Sequence, residues 1–569
     1  MKLLHLSPPI FAELLFELFA AGARLRCVMK DWDLSTLIPI FKKKGLLSEP
    51  ANYRPLRLIP VIRKIFEMGT TVRLVREKPD ELEQFGFIAR TMAESAAAMV
   101  TSAASQPHII TILLDLIKAY DLVQRDQVMA IVDEEHSVAT AGMVATLLQT
   151  STVTTAEDDT QLKMRVDVGL TQGGPASPAL YNKSANVLIR RVLHALKIID
   201  DGESPGPLLA FADDIALLLA SDIAAAIALR AAGSWAMEAL MRFNLGPGKS
   251  LELRRAMTQP GRRNMEGEEL RIVESDKYLG VGAAAAGATT GPIHDRIDGA
   301  SATLATLKQT GALARGMDLH VATAMYKAFL RSKWLYGCFL VPMTAALQRK
   351  LDGLDAGFIS TVLTAVTLRS ARAALPVARA LLRIDSPALA QKIRAHQFVA
   401  QLVYTSEDDA LPMHIRERAR RARDQLHAVP HLNRLVPDLG RPWQPRDMRA
   451  AREEEWERAF ASRKRKATPA GKGKVKLPWG LRRLPPWTRP LVARYFLGSF
   501  PIMETWEEID GKRKYSAVAK SPAETRALRI LRILHRAGRD GEEGKEDVQE
   551  ATEALEILRG RGSRGRWWS

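Results

Sequence analysis

Cysteine is nearly absent: Cys27 and Cys338 are the two in 569 residues, too few for a disulfide framework or for any Cys-based zinc finger or knuckle. That scarcity fits a reducing, intracellular compartment. No run of 18 or more purely apolar residues occurs, so no membrane-spanning helix, and no membrane as a partner that the chain crosses, is expected. The start does not read as a signal peptide, because Pro8, Pro9, Glu13 and Glu17 interrupt its apolar stretch. Phe11, Leu14, Leu15, Leu18 and Phe19 instead fall at helical spacing and predict an amphipathic helix. No repeat of fixed period runs through the chain. Acidic residues are outnumbered, 64 Asp and Glu against 82 Lys and Arg, leaving a formal net charge of +18. That balance favours a polyanionic partner, nucleic acid first and an anionic membrane surface second.

What is present is enough to fold. Hydrophobic residues make up 47% and charged residues 26%, ordinary for globular protein, and the length points to several domains. The stretch that carries most information is Leu208-Leu-Ala-Phe-Ala-Asp213-Asp214-Ile-Ala-Leu-Leu-Leu219. Two strand-length apolar runs flank Ala212-Asp213-Asp214, so the simplest geometry is a hairpin with the acids at its tip. Adjacent buried like charges are costly unless a cation or hydrogen bonds offset them, and a divalent metal is the simplest partner. An Asp-Asp turn between two ordinary strands is the alternative.

Other stretches are modest one by one. Residues 32–44 predict a strand ending in Lys42, Lys43 and Lys44, followed by Asn52-Tyr53-Arg54-Pro55. Such a basic hairpin suits phosphate, or it is a solvated turn. Gln84-Phe85-Gly86-Phe87 reads as a short aromatic loop without evident chemistry. The run Ile109–Leu114 predicts a buried strand ending on Asp115, a position that presents catalytic groups in many sheets but more often caps a helix. Tyr120 reads equally well as core. Gly169–Pro178 is a flexible loop before a helix predicted over 177–197, with Ser177 as N-cap and Pro178 at its first position. Ser221 or Asp222 starts a second, Ala-rich helix to about Arg242. A loop from Asn244 to Ser250 contains Lys249, and Lys277–Val281 predicts a strand and turn. From Asp295 to about Phe398 the pattern is helical, with Tyr326, Leu330, Trp334 and Leu335 as a core stripe. Ser462–Lys476 holds seven basic residues and no acid, reading as a linker, a nuclear localisation signal or a nucleic-acid patch. Arg526–Arg536 predicts a basic helix, and the Arg-, Gly- and Trp-containing tail from Arg559 predicts disorder.

In order, these pieces resemble the reverse transcriptases of non-LTR retrotransposons over roughly residues 10–400. The resemblance rests on strand-Asp115 through Asp121, the Gln172 loop and helix, and Phe211-Ala212-Asp213-Asp214. It implies an α+β right-hand polymerase: fingers and an antiparallel palm sheet with helices over 1–290, a helical thumb-like region over 291–400, and a basic, partly disordered C-terminal extension over 401–569. The implied activity is RNA-directed DNA polymerisation, extending a primer 3′-hydroxyl from dNTPs. Asp115, Asp213 and Asp214 are then the catalytic metal ligands, with Mg²⁺ as cofactor or Mn²⁺ in its place, and Lys249 the group that protonates pyrophosphate. Lys42, Arg54, Tyr120, Gln172 and Gly173 line the dNTP site, Tyr120 acting as the gate against a ribose 2′-hydroxyl. Tyr278, Leu279 and Gly280 form the primer grip.

Two features depart from the family. Its Asn-x-x-Lys spacing is Asn244-x4-Lys249 here, and Arg57 replaces a small polar residue. The expected partners are an RNA template, a DNA primer, dNTPs and a separately encoded endonuclease, in an intracellular and nuclear setting. The alternative is a catalytically silent palm-fold relic that binds RNA or DNA.

Overall fold

Alternating and continuous apolar runs build the first half of the molecule around one sheet. The structure, a computed structural model, describes residues 9–27, 32, 34–42, 45–149, 151–155, 163–197, 206–246, 248–254, 263–265, 267–285, 287–313, 319–363, 375–376, 378–380, 382–461, 503–509 and 512–518. The basic stretch Ser462–Lys476, the helix expected over Arg526–Arg536 and the tail from Arg559 lie outside the described residues.

The chain begins with α1 (Pro9–Leu25), β1 (Leu34–Phe41), β2 (Tyr53–Leu58), α2 (Val61–Glu77), α3 (Ala93–Ala104), β3 (Ile110–Leu114), α4 (Arg125–Glu135), α5 (Val138–Leu148), β4 (Ser151–Thr155) and β5 (Lys163–Val166). It continues through α6 (Ser177–Lys197), β6 (Leu208–Phe211), β7 (Asp214–Leu219), α7 (Asp222–Glu238), β8 (Leu251–Leu253), β9 (Arg271–Val273), β10 (Ser275–Tyr278), β11 (Val281–Ala284) and β12 (Gly287–Thr289). Helices follow: α8 (Gly291–Gln309), α9 (Leu319–Met325), α10 (Ala345–Leu363), α11 (Pro387–Glu407), α12 (Met413–Gln425) and α13 (Pro445–Ala461).

The central sheet has the order β9-β8-β3-β7-β6. Its pairs are antiparallel apart from β8 and β9, which run parallel. Residues alternate between its faces. Ile112, Leu114, Ile215 and Leu217 join one core with Leu188 and Val192 of α6 and Trp235 of α7. The intervening Leu113, Leu209 and Leu218 are buried too, and the Ala-rich α3 touches β3, β6 and β7. A sheet covered on both faces explains why these strands read as continuous apolar runs. Each fully buried Leu or Ile contributes about 2 kcal/mol relative to exposure. A second sheet, β2-β1-β4-β5, carries the basic hairpin, and a third is β10-β11-β12. No helix among the described residues is long and apolar enough to cross a membrane.

Three local expectations are corrected. In α1 only Phe19 of the predicted stripe packs on core aromatics, against Trp32 and Phe66. Phe11, Leu14 and Leu18 are exposed. Helix α7 ends at Glu238, short of Arg242, because Leu240 takes a left-handed φ of +54° and the Arg242 carbonyl accepts the Ile117 N–H. Ser177 does not cap α6 with its hydroxyl, which donates to the Thr171 carbonyl at 2.7 Å. The Glu67 carboxylate instead accepts the Ala176 N–H at 3.2 Å, where negative charge suits a helix N-terminus.

The chain divides into two compact units. The first runs to Thr289 and takes in Gln401–Pro430; the second begins at Thr290, runs to Ala400 and resumes at His431. Residues 401–430, which the sequence reading placed in the C-terminal extension, thus fold with the first unit. In the second unit the predicted stripe is core: Tyr326, Leu330 and Trp334 are buried, and the Tyr326 hydroxyl donates to Asp355, which also pairs with Arg379.

His396, also in that unit, stacks on Trp443 at 4.2 Å and accepts the Trp443 N–H on Nδ1. Burial, then Lys392, pushes its pKa down to about 4. A histidine depressed from about 6.5 contributes stability above that value that is lost as pH falls toward 4. Wild-type Tm is therefore expected to drop by a few degrees more than that of His396→Phe between pH 6.5 and 4. Parallel curves in differential scanning fluorimetry would reject this.

Candidate active site

The acid-bearing hairpin forms because two apolar strands, β6 and β7, meet across a two-residue turn. Phe211 pairs with Asp214, leaving Ala212 and Asp213 at the tip. Ala212 is buried and takes φ +57°, a conformation that costs a non-glycine residue about 1–2 kcal/mol. On the other side of β7, β3 runs antiparallel and its last pair is Leu114 with Ile215. Continuing that register sets Asp115 opposite Asp214. Like charges placed directly across a sheet repel.

The electrostatics follow from that placement. Burial raises the Asp213 carboxyl above its ordinary range, and Asp115 adds to the rise. Asp214 is pushed up to about 6, first by burial, then by Asp213 and Asp115. Lys249 opposes both shifts. Its ammonium lies 3.2 Å from Asp115 Oδ2, and Asn244 Nδ2 donates to the same oxygen at 3.1 Å. The longer Asn244-x4-Lys249 loop is closed by the Ser250 N–H on the Asn244 carbonyl, while the Ser250 hydroxyl accepts the Asp115 N–H. The extra residues therefore still deliver Lys249 to the acids.

Two aromatics complete this group. Tyr120 stacks on Tyr181 at 4.8 Å, its buried hydroxyl has no hydrogen-bond partner among the described residues, and burial followed by Asp213 raises its pKa. The Tyr278 hydroxyl donates to the Asp214 carbonyl at 3.3 Å. Tyr278 ends β10, and Leu279 (φ +49°) and Gly280 (φ +76°) join it to β11. Positive φ at both central residues is the type I′ turn that suits strand twist.

The remaining predicted residues belong to the loop and to the second sheet. Gln172 donates to Asp121 at 2.7 Å, and its carbonyl accepts the Arg57 N–H. Gly173 has φ +103°, and a Cβ there would lie 2.8 Å from the Arg57 carbonyl, so no other residue fits. Arg57 thus anchors the loop through its backbone. Arg54 is exposed on β2, whereas Lys42 is turned back onto its own hairpin, donating to the Ala51 carbonyl at 2.8 Å. The structure gathers Asp115, Asp213, Asp214, Lys249, Tyr120 and Tyr278; it does not bring Lys42 into that group.

Sequence reasoning missed Gln84 and Gly86. The Gln84 carbonyl oxygen accepts the Ala212 N–H at 2.9 Å, and a Cβ on Gly86 would lie 2.3 Å from the Ala212 nitrogen. The available signal was a Gly between two Phe residues, which marks a close backbone approach without saying to what.

Among the described residues no three acidic, His or Cys side chains are gathered tightly enough to hold a metal ion as they stand. The donor chemistry nevertheless fits a hard divalent cation, which takes carboxylate oxygens. Partial burial and mutual repulsion, which raise the carboxyl pKa values of Asp213 and Asp214, are what a bound cation would offset.

A family model described as reverse transcriptase (RNA-dependent DNA polymerase) matches residues 41–281. The retrovirus-related Pol polyprotein from type-1 retrotransposable element R2 of Popillia japonica is 28% identical over 200 residues, 33% of this chain and 27% of that protein. The chain thus spans about a quarter of the length of that curated relative. Among solved structures, telomerase from Candida albicans in complex with a fragment of telomeric RNA is similar at a TM-score of 0.37 and 9% identity, over 79% of this chain and 66% of that one. Apo telomerase from Candida tropicalis is similar at 0.35 and 9% identity, over 69% of each chain.

Proposed function

We propose that the chain, whose residues 41–281 match a family model of reverse transcriptases, is an RNA-directed DNA polymerase that extends a primer on an RNA template. The observation that carries the reading is the convergence of Asp115, Asp213 and Asp214 at the end of one buried sheet, with Lys249 beside them. Asp115, Asp213 and Asp214 would hold divalent cations, Mg²⁺ by preference or Mn²⁺. Such ions, two of them in a nucleotidyl-transfer site, would supply activation of the 3′-hydroxyl and neutralisation of the triphosphate.

The chain's own residues do the rest. Lys249, drawn to Asp115, carries the proton that the departing pyrophosphate needs. Tyr120, fixed by its stack on Tyr181, fills the space a ribose 2′-hydroxyl would occupy. Gly173 lets the nucleotide approach the Gln172 loop, and exposed Arg54 offers a bidentate fork to phosphate. Tyr278, Leu279 and Gly280 place a tight turn behind Asp214, suited to holding a primer end. A nicking endonuclease encoded elsewhere would supply that end.

The test is primer extension on an RNA template with Mg²⁺ and dNTPs, comparing the wild-type chain with Asp213→Asn. Product from wild type alone supports the reading; equal product from both, or none from either, rejects it in favour of a binding-only protein. Within the same assay Lys249→Ala is expected to lower kcat roughly 10²-fold, the range for losing a general acid. Unchanged kcat would remove Lys249 from the mechanism.

A further inference from the structure

The loop at residues 80–87 has no role in the reading above, yet it grips the acid turn at several points. Phe85 N–H donates to the Ala210 carbonyl at 2.7 Å, and Ala210 N–H donates to the Glu83 carbonyl at 2.9 Å. The loop therefore pairs with β6 along its free edge, Gln84 lying parallel to Ala210. At its centre is the Gln84 side chain, fully buried. Its Oε1 accepts two N–H groups, Gly86 and Ala212, each at 2.9 Å. Its Nε2 is buried with no hydrogen-bond partner among the described residues. An orphaned buried donor costs about 1–3 kcal/mol, so the side chain is kept for its oxygen.

That oxygen is the one acceptor described for the Ala212 amide among the described residues. Ala212 is buried and left-handed; without an acceptor its N–H would be orphaned and the turn would relax. Gly86 closes the remaining space, with Ala212 N at 2.3 Å and Phe211 C at 2.9 Å from where a Cβ would stand. The loop is fixed from behind. Arg418 of α12, fully buried, donates to the carbonyls of Asp80 at 2.6 Å and Glu81 at 2.7 Å. Arg421 pairs with Glu83 at 2.9 Å.

We propose that Gln84 is a positioning residue for polymerisation: its carbonyl oxygen, on a loop braced by Arg418 and Arg421, fixes the Ala212 amide and thereby the reach of Asp213 toward Asp115. The inference rests on the polymerase reading. A displacement of about 1 Å at a reacting centre costs on the order of 10²-fold in rate.

The test uses the full chain with Gln84→Met, which keeps the volume and loses the acceptor, and Gln84→Glu, which keeps the acceptor. In single-nucleotide extension, Q84M is expected to lose roughly 10- to 100-fold in kcat with the KM for dNTP within about threefold, and Q84E to recover at least fivefold of that loss. Hydrogen exchange of a peptide spanning residues 208–215 is expected to be faster in Q84M than in wild type and near wild type in Q84E. Should Q84M fail to fold, Gln84→Asn, too short to reach Ala212, takes its place with the same expectation. Wild-type kcat and exchange in the acceptor-less variant overturn the inference, as does a Q84E chain as impaired as Q84M. An inactive wild type overturns the polymerase reading and this inference with it, whereas an active wild type with an unimpaired acceptor-less variant overturns the inference alone.

Discussion

Asp213→Asn is expected to abolish primer extension, by at least about 10³-fold, while leaving the metal-free protein as stable as wild type or more so. On the polymerase reading, the activity loss would follow from removing an anionic oxygen ligand where charge must be balanced during phosphoryl transfer, a larger role than that of one neutral hydrogen-bond donor. The stability effect has the opposite sign for the same reason. Asp213 and Asp214 are half-buried, raised in pKa by partial burial and by their acidic neighbours, and repel each other whenever both ionise. An amide of equal shape removes one charge and leaves the turn intact, because the Ala212 amide is held by Gln84 and not by Asp213. Melting temperatures in EDTA should therefore be equal or higher for the variant. Lower stability together with lost activity would show that Asp213 is a structural group.

The second large effect is on folding. Asp80 is buried and receives Lys183 Nζ at 3.1 Å, Asn182 Nδ2 at 3.1 Å and Asn186 Nδ2 at 3.0 Å, all from α6. Lys183 is itself fully buried and also donates to the Lys78 carbonyl at 2.6 Å. Asp80→Ala strips the carboxylate from a buried ammonium and two amides. Breaking a buried pair in this way costs about 3–5 kcal/mol, so a fall in Tm on the order of 10 °C is expected in thermal unfolding. Adding Lys183→Met should restore much of it, since an apolar residue of similar volume leaves no stranded charge. A loss below about 1 kcal/mol for Asp80→Ala would show that water reaches Lys183.

What the sequence discloses follows from how local each signal is. The acid turn was readable because twelve residues, Leu208 to Leu219, contain the whole pattern: apolar run, Ala-Asp-Asp, apolar run. Asp115 was readable because a β-branched strand ends on it, and helices α6 and α7 because their starts carry recognisable residues. The family resemblance joined these pieces and placed Lys249 despite its altered spacing. The Gln84 contact was hidden because its partner lies 128 positions away, and nothing in Gln-Phe-Gly-Phe names that partner. The exposed stripe on α1 misled for a related reason: periodicity identifies an amphipathic helix but not whether a neighbour covers its apolar face. The membership of residues 401–430 in the first unit was hidden too, since Arg-rich composition resembles a solvated extension until Arg418 is seen buried.

That membership bears on how the protein is made. Arg418 meets the Asp80 carbonyl across 338 positions, and the whole of Thr290–Ala400 is synthesised between the two halves of the first unit. Chains grow at roughly 5–20 residues per second, and units generally fold as they emerge. The loop that supports the acid turn therefore waits, its rear carbonyls without their arginine, until α12 has left the ribosome. A nascent chain already containing every residue from 41 to 281 is in this sense incomplete, and its maturation is timed by translation of the helices that follow.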